Sequence, residues 1–258
     1  MSAAMIENRF KRGLATGRCQ FGLWTTLSTA FATEVVAGAG FDWLCLDTEH
    51  SPADPLTILP QLQCLAGYPT VSAWVRPAAN DAVLIKRMLD AGAQTLLIPM
   101  VNTAEEARAA VAATRYPPEG IRGVSGLTRA TRFGRIEGYM AGAAEEICVI
   151  AQIETGAAVD ALESIAAVPG IDALFVGPAD LAASLGYGAD QAHPDLRATV
   201  IDTLGRIRAA GKPAGLLTGD KVLQAMALEA GVDFLGLGVD VGLLARAAEA
   251  LRRGAEGL

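Results

Sequence analysis

Two carboxylates stand where apolar, β-rich runs of the sequence come to an end. Glu154 follows the run CVIAQI, and Asp180 lies four residues after the run ALFV. If these runs are consecutive strands of one parallel barrel, the two side chains converge on one small volume. Two carboxylate oxygens suit a hard divalent cation such as Mg²⁺ or Mn²⁺, with Co²⁺, Ni²⁺ or Zn²⁺ as further possibilities, and leave the other positions to water or a chelating substrate. The alternative is that each carboxylate only caps the helix that follows it.

The ends of two other runs indicate acid–base and oxyanion chemistry. His50 lies three residues after Asp47 in the segment LCLDTEH, so this carboxylate can orient the ring of a base that works near neutral pH. Arg76 ends the run VSAWVR, which places a permanent cation where it favours an anionic substrate or an oxyanion formed during reaction. The alternatives are a structural or solvated histidine and an arginine that only joins neighbouring loops.

Residue types that the sequence does not offer argue against other chemistries. None of the four lysines, Lys11, Lys86, Lys212 and Lys221, stands at the exit end of a predicted strand, so a Schiff-base mechanism has no nucleophile. No GxxxxGK[ST] segment occurs, and GLGVDVG near Gly236 lacks the spacing of a dinucleotide-binding turn. The sequence therefore indicates neither a nucleoside triphosphate nor NAD as a cofactor.

Eight β-rich runs supply the elements that must position these side chains. They are Phe21–Leu27, Trp43–Asp47, Thr70–Arg76, Thr95–Val101, Cys148–Ile153, Ala173–Gly177, Pro213–Leu217 and Phe234–Gly238. A helix-period segment follows each: Thr33–Ala39, Asp54–Ala66, Asn80–Ala91, Thr103–Thr114, Thr155–Ala166, His193–Ala210, Asp220–Ala230 and Val241–Arg253. The spacing Thr103-x-x-Glu106 predicts a capping box, and glycines close several helices just before the next strand.

This eightfold alternation of strand and helix predicts the fold class. Eight parallel strands in 258 residues predict an α/β protein, a (β/α)₈ TIM barrel in which residues 1–258 form a single domain. A doubly wound open sheet is the alternative. In a barrel the polar residues named above share the carboxyl-terminal face, where catalytic sites lie. Residues 116–146 interrupt this alternation of strand and helix, and they contain four arginines and six glycines. They are expected either to carry substrate or subunit contacts or to form a solvated loop.

The overall composition excludes several classes of partner. With 21 Lys and Arg against 28 Asp and Glu, the net charge is −7, which argues against a nucleic-acid partner and against an anionic membrane surface. The long uncharged stretch 55–75 is interrupted by prolines and a glycine, so no membrane span is expected. Charges near the start stand where a secretory signal has its apolar centre, and the four cysteines are widely spaced. Together these features predict a cytoplasmic protein with reduced thiols.

Six segments, taken in order, resemble the HpcH/HpaI family of class II pyruvate aldolases, which includes 2-keto-3-deoxyglucarate and 4-hydroxy-2-oxoheptanedioate aldolases. They are LDTEHSP (46–52), VRP (75–77), KRMLDAGAQTLLIPMV (86–101), YPPEGIRGV (116–124), QIET (152–155) and VGPADLAASLG (176–186). The resemblance implies a metal-dependent barrel that cleaves 4-hydroxy-2-oxoacids to pyruvate, or a close analogue such as hydroxypyruvate, and an aldehyde, through a metal-stabilised enolate. It also implies the reverse aldol addition.

The resemblance further implies roles for individual residues. Glu154 and Asp180 are expected to hold the metal, Gln152 to lie at the carbonyl side of the site, and Arg76 to face the pyruvate oxygen. The acid–base step is expected from His50 with Asp47, and Asp90 is expected to reach that histidine across a subunit boundary.

The turn Gly177-Pro178-Ala179 is expected, from the same resemblance, to offer backbone donors to the substrate carboxylate. The family resemblance also implies a homo-oligomer, a hexamer built as a dimer of trimers, in which the last helix, Val241–Arg253, is exchanged between neighbours.

Two other functions remain open at the level of sequence. One is a related lyase of the phosphoenolpyruvate/pyruvate superfamily, acting on another oxoacid or on a coenzyme A thioester. The other is a metal-binding or oxoacid-binding scaffold without catalysis, since a fold does not establish an activity. Loss of turnover in folded Glu154→Ala or Asp180→Ala variants would exclude the scaffold.

Overall fold

The computed structural model describes residues 3–188 and 190–255, and its eight parallel strands close into a barrel. The strands are β1 Gln20–Thr25, β2 Trp43–Asp47, β3 Ser72–Arg76, β4 Thr95–Ile98, β5 Cys148–Ile153, β6 Ala173–Val176, β7 Ala214–Leu217 and β8 Phe234–Val239. Each strand pairs with its neighbours in chain order, and β8 pairs with β1. The (β/α)₈ prediction is confirmed, and the pairing of β8 with β1 excludes the open sheet.

Helices lie between the strands, together with three helices that the sequence pattern did not predict. The helices are α1 Arg9–Gly13, α2 Ala30–Ala37, α3 Pro55–Leu65, α4 Ala82–Asp90, α5 Ala104–Thr114, α6 Tyr139–Glu146, α7 Gly156–Asp160, α8 Leu162–Ala166, α9 Pro178–Ser184, α10 Pro194–Ala209, α11 Lys221–Glu229 and α12 Asp240–Gly254. The capping box of Thr103 and Glu106 is present at the start of α5. Helices α1, α6 and α9 are the additions, and the predicted helix Thr155–Ala166 is divided at Ala161.

Large aromatic side chains pack together inside the barrel. The rings of Trp43 and Trp74 stack with their centroids 4.0 Å apart. Space for them comes from glycines on neighbouring strands, because a Cβ atom at Gly22 would lie 2.0 Å from the Trp43 ring and one at Gly215 would lie 2.0 Å from the Phe234 ring. The short helix α1 adds Phe10, which is fully buried against Trp74. The barrel is therefore a packed core that fixes the ends of its strands.

The segment between α5 and β5 is anchored by a buried arginine. The Arg122 side chain is 0% exposed, stacks over the Tyr116 ring at 4.6 Å and donates to Asp90 at 2.9 Å. Its Nε and Nη1 atoms are buried without a hydrogen-bond partner among the described residues. This part of residues 116–146 is therefore packed into the protein and is not a solvated loop.

The last helix, α12, is exposed along nearly its whole length. Its only buried residue is Asp240, which accepts hydrogen bonds from the backbone amides of Thr26 at 2.8 Å and Leu27 at 3.2 Å. Its four exposed large apolar side chains are Val241, Leu243, Leu244 and Leu251. The start of α12 is thus tied to the loop after β1, while its apolar residues have no cover from the described part of this chain. Exchange of this helix between subunits stays a prediction.

Among the described residues, no helix combines the length and the apolar character that crossing a bilayer requires.

Candidate active site

A pocket of about 800 Å³ opens at the carboxyl-terminal ends of the barrel strands. Eight of the ten residues predicted for the site line it: Asp47, His50, Arg76, Gln152, Gly177, Pro178, Ala179 and Asp180. Glu154 is buried next to this wall, in contact with Gln152. Asp90 lies elsewhere, at the carboxyl end of α4, where its carboxylate pairs with Arg122. Its predicted role in a second subunit stays a prediction.

A buried arginine held by two acids lines the pocket. Asp47 and Arg76 are register partners on β2 and β3. Arg76 donates from Nε to Asp47 Oδ1 at 2.8 Å and from Nη2 to Oδ2 at 2.7 Å, and its Nη1 lies 2.9 Å from Glu49 Oε2. Its guanidinium also lies over the Trp24 ring, 5.4 Å from the centroid. These contacts fix the direction in which the cation points.

The environment keeps this arginine charged. Burial lowers the pKa of Arg76, but the hydrogen bonds and negative charge of Asp47, together with the charge of Glu49, raise it above its ordinary value. Arg76 therefore remains a cation at any pH at which the protein functions. It joins two neighbouring strand ends, as the structural alternative supposed, and it also lines the pocket.

The structure corrects the predicted pairing of Asp47 with His50. Both carboxylate oxygens of Asp47 accept from Arg76, and Oδ1 also accepts from the backbone amide of Glu49 at 3.0 Å. The His50 side chain is 62% exposed, and the carboxylate near it is that of Glu49, with His50 Nε2 3.9 Å from Glu49 Oε2. A bidentate, buried bond to a guanidinium outcompetes a bond to a solvated ring, because charge-assisted paired bonds are the stronger ones.

Glu154 is a buried carboxyl group with few donors around it. Its Oε1 accepts from the backbone amide of Met100 at 2.7 Å, and its Oε2 accepts from Gln152 Nε2. Burial raises the pKa of Glu154 to about 7; the Met100 hydrogen bond opposes this, and the charges of Glu49 and Asp180 add to it. Burial also raises the pKa of Glu49, and the charge of Asp180 acts in the same direction there. The carboxylates of Glu49, Glu154 and Asp180 therefore lie close enough to interact through their negative charges.

Neither predicted metal ligand acts as the cap of its following helix. The cap of α7 is Thr155, whose hydroxyl accepts from the Ala158 amide at 3.0 Å. The N-cap of α9 is Gly177, with no side-chain cap bond, and Asp180 in the first turn is exposed. The capping alternative is wrong for Glu154 and does not account for Asp180.

The residues around Glu154 fit a hard divalent cation. The amide oxygen of Gln152 is buried without a hydrogen-bond partner in the described chain, and it lies beside a carboxylate whose charge is poorly compensated. Residues 3–188 and 190–255 contain no group of three His, Cys, Asp or Glu side chains placed to hold a metal by themselves. The carboxylates of Glu154 and Asp180 and the amide oxygen of Gln152 would therefore supply only part of the oxygen ligands of the cation. Water or a chelating substrate can supply the rest, since such ions accept both as ligands.

The turn after β6 is shaped by Gly177. A Cβ atom there would lie 2.8 Å from Glu154 Oε2 and 3.1 Å from Gln152 Nε2, so no other residue fits without a shift. The amide of Gly177 donates to the Ile153 carbonyl at 3.0 Å, and Pro178 has no amide hydrogen. Of the three residues predicted to offer backbone donors, only Ala179 in the first turn of α9 retains one for a ligand.

Several residues of the site were not among the predicted ones. Glu49 lies in the same strand-exit loop as Asp47 and His50, and its acidic type in that loop was the available signal. Trp24 and Arg246 also line the pocket. No sequence signal marks them, because an aromatic residue on β1 and an arginine in the last helix are ordinary features of such elements.

Comparison with known proteins identifies relatives over nearly the whole chain. Residues 20–247 match the HpcH/HpaI aldolase/citrate lyase family. The chain is 57% identical over 244 residues to a pyruvate aldolase of Rhizobium etli, covering 95% of this chain and 96% of the relative. It is 52% identical over 254 residues to a 4-hydroxy-2-oxo-heptane-1,7-dioate aldolase of Salmonella dublin, covering 97% and 96%. A crystal structure of an HpcH/HpaI aldolase/citrate lyase family protein from Burkholderia cenocepacia superposes with a TM-score of 0.92 at 40% identity, covering 96% of this chain and 99% of that one.

Proposed function

The chain belongs to the HpcH/HpaI aldolase/citrate lyase family and is a carbon–carbon lyase of the aldolase type, and from this premise we propose its substrates and its catalytic residues. The substrates are 4-hydroxy-2-oxoacids, which are cleaved to pyruvate, or a close analogue such as hydroxypyruvate, and an aldehyde, with aldol addition as the reverse reaction. The observation that carries the proposal is the fixed Arg76 cation beside the acidic group of Glu49, Glu154 and Asp180.

Glu154 and Asp180 are the residues proposed to hold a divalent cation, Mg²⁺ or Mn²⁺ before Co²⁺, Ni²⁺ or Zn²⁺. Such an ion, when bound, polarises the 2-oxo group of the substrate. Burial of Glu154 supports this assignment, because an uncompensated carboxylate in a dry site gains most from a cation. Gln152 presents its unpartnered amide oxygen at the same place.

Arg76 is proposed to stabilise the negative charge that develops on the 2-oxo oxygen. Its three contacts to Asp47 and Glu49 hold it in place before the substrate arrives, so little reorganisation is needed during reaction. The Ala179 amide is proposed to bind the substrate carboxylate. Asp47 is a positioning residue in this scheme, since it acts through Arg76.

His50 is proposed to move the proton of the 4-hydroxyl group. It removes this proton during cleavage and returns it during addition, since an imidazole ring can act as a base in one direction and as an acid in the other. Glu49 at 3.9 Å is the nearby carboxylate within this chain. Asp90 of a neighbouring subunit is proposed as its second partner.

We also propose a homo-oligomer, a hexamer arranged as a dimer of trimers, in which α12 lies on or is exchanged with a second copy. This proposal is supported by four exposed apolar side chains on α12, since contact with a second copy would remove them from water. They are Val241, Leu243, Leu244 and Leu251. Light scattering should give a multiple of 26.7 kDa, and Leu244→Glu should lower it. The single domain and the cytoplasmic location are part of the same proposal, the latter supported by four free cysteines, of which Cys45 and Cys148 are buried.

The function is tested by mixing the protein with pyruvate, a small aldehyde and Mn²⁺ or Mg²⁺ and following the consumption of pyruvate. Removal of metal with EDTA should stop turnover, and added divalent cation should restore it. Turnover that survives in Glu154→Ala and Asp180→Ala variants would refute the proposed metal residues. Cleavage of an acyl coenzyme A without any aldol activity would favour the related thioester lyase.

A further inference from the structure

The loop after β4 contains a residue in a strained backbone conformation next to the proposed metal residue Glu154. Met100 has a φ angle of 53°, in the left-handed region that a residue with a side chain adopts only at a cost in energy. It is 48% exposed, so burial of its side chain does not account for the strain. Its amide donates to Glu154 Oε1 at 2.7 Å. Since β4 ends at Ile98 and Pro99 has no amide hydrogen, this amide is the first donor of the backbone after the strand.

The side chain of Asn102 contacts this strained residue and the loop that carries Glu154. Its Nδ2 atom donates to the Met100 carbonyl at 3.0 Å, and its Oδ1 atom accepts from the hydroxyl of Thr155. Thr155 directly follows Glu154 in the sequence. A single asparagine amide therefore joins the residue that donates to the Glu154 carboxylate and the residue that follows Glu154 in the chain.

The backbone of Asn102 is fixed by the start of α5. The Asn102 amide donates to Glu106 Oε2 at 2.6 Å, and the same oxygen accepts from the Thr103 amide at 3.1 Å. The second of these bonds belongs to the capping box of this helix. The helix start therefore holds the backbone of Asn102, and the side chain of Asn102 extends this fixed position to the two loops beside Glu154.

We propose that Asn102 is a positioning residue for the metal site, and that it acts by holding the Met100 amide on Glu154. This inference rests on the metal-binding role of Glu154 in the proposed function. Hydrogen bonds from surrounding groups orient a carboxylate that binds a metal, and such outer contacts contribute to metal affinity. Without the Asn102 side chain, Met100 can relax to a negative φ angle, which turns its amide away from the carboxylate. Glu154 then loses a fixed orientation, and the site binds the cation more weakly.

The test measures the binding of Mn²⁺ without substrate, from the EPR signal of the free ion, so that the result does not depend on turnover. In the Asn102→Ala variant the Kd for Mn²⁺ should rise by about 10- to 100-fold, the loss expected for an outer contact of a metal ligand. Asn102→Ser, whose side chain is too short to join both partners, is the second variant and should show a rise of the same order. Circular dichroism verifies that each variant is folded.

The matched control is Asn80→Ala, which removes a side-chain amide of the same type from the loop after β3. Asn80 Nδ2 donates to the carbonyl of Glu106 at 3.0 Å, so this bond also joins a strand-exit loop to α5, but it does not reach the residues around Glu154. The control should keep the parental Kd for Mn²⁺. Equal Kd values for Asn80→Ala and Asn102→Ala would overturn the inference.

The Met100→Gly variant tests whether the effect passes through the strained residue. Glycine adopts a positive φ angle about as readily as a negative one, so its amide keeps the required direction more often when Asn102 is lost. Asn102→Ala should therefore raise the Kd for Mn²⁺ by a smaller factor in Met100→Gly than in the parent. An equal factor in both would show that Asn102 does not act through Met100, and would overturn the inference.

Binding of Mn²⁺ to the parent and to Glu154→Ala separates this inference from the proposed function. A parent protein that binds no Mn²⁺, or a Glu154→Ala variant with the parental Kd, overturns the proposed metal site and this inference with it. Binding that is weakened in Glu154→Ala and unchanged in Asn102→Ala overturns only the role of Asn102. Binding that is weakened in both variants and unchanged in Asn80→Ala supports both proposals.

Discussion

Glu154 should make the metal-free protein less stable as the pH rises from 5 to 8. Its carboxyl group is 1% exposed, and burial raises its pKa from 4.5 to about 7. Below pH 4.5 the group is protonated in both the folded and the unfolded chain, so its effect on stability does not vary with pH. Between 4.5 and about 7 the folded protein holds a proton that the unfolded chain has released, and the free energy of unfolding therefore falls as pH rises.

The size of this effect follows from the interval between the two pKa values. One pKa unit corresponds to about 1.4 kcal/mol, so the loss between pH 4.5 and pH 7 amounts to about 3 kcal/mol, after which the curve is flat. The Glu154→Gln substitution should remove most of it. The new amide keeps an oxygen for the Met100 amide at 2.7 Å, and a rotation of the Gln152 amide lets its unpartnered oxygen accept from the new NH₂ group.

Urea unfolding in EDTA, at fixed protein concentration and at pH 5, 6, 7 and 8, measures the difference. The parent should lose stability across this range more steeply than Glu154→Gln does. Glu119→Gln, which removes a glutamate from an exposed loop, is the control and should follow the parent. Added Mn²⁺ should stabilise the parent more at pH 8 than at pH 5, because proton and metal compete for one carboxylate. Equal pH slopes for the parent and Glu154→Gln would refute the reasoning.

Three further substitutions test other contacts of the structure. Arg76→Lys keeps a positive charge but cannot form the paired bonds that the guanidinium makes to Asp47, so kcat in the pyruvate addition should fall by at least about 100-fold. Gly177→Ala puts a methyl group 2.8 Å from the Glu154 carboxylate, and should raise the Mn²⁺ concentration needed for half-maximal activity and cost about 1–3 kcal/mol in urea unfolding. Asp90→Ala leaves Arg122 buried without its acid and should cost about 3–5 kcal/mol by the same assay, most of which the double variant with Arg122→Met should recover. If Asp90 acts in a neighbouring active site, that recovered double variant should still lack turnover; a stable, active double variant would restrict Asp90 to a structural role.

The strands were predictable because each is a short buried run between a helix end and a polar exit. All five residues of β2 and all six of β5 are buried, so both strands are short and mainly apolar in sequence, the pattern that predicts an interior strand of a parallel barrel. Strand β1 was predicted to continue to Leu27 and ends at Thr25. The strand ends there because the backbone amides of Thr26 and Leu27 donate hydrogen bonds to the carboxylate of Asp240, which is more than 200 residues away in the sequence. No local pattern contains that information.

The missed helices are short and owe their stability to packing. Helix α1 has five residues and is held by the buried side chain of Phe10, which packs against Trp74 and Phe234. Isolated helices of this length do not form in water, so the sequence alone gives no helical signal there. Helix α9 did carry a signal, since Pro178 stands at its first position, where proline is favoured. Its importance is that it fixes Asp180 in a first turn beside the pocket.

The partner of Asp47 shows where reasoning from spacing reaches its limit. Along the chain His50 is the closer candidate, three residues away, while Arg76 is 29 residues away. In the barrel, however, Asp47 and Arg76 are register partners on adjacent parallel strands. Both side chains are almost fully buried there, at 1% and 7% exposed, where a charge without a partner is costly, whereas His50 at 62% exposed can turn to water. The register thus decides the pairing. The proposed role of His50 therefore requires a different carboxylate to orient its ring. Glu49 lies 3.9 Å away in this chain, and the turnover of the double variant Asp90→Ala, Arg122→Met tests whether Asp90 of a neighbouring subunit is required instead.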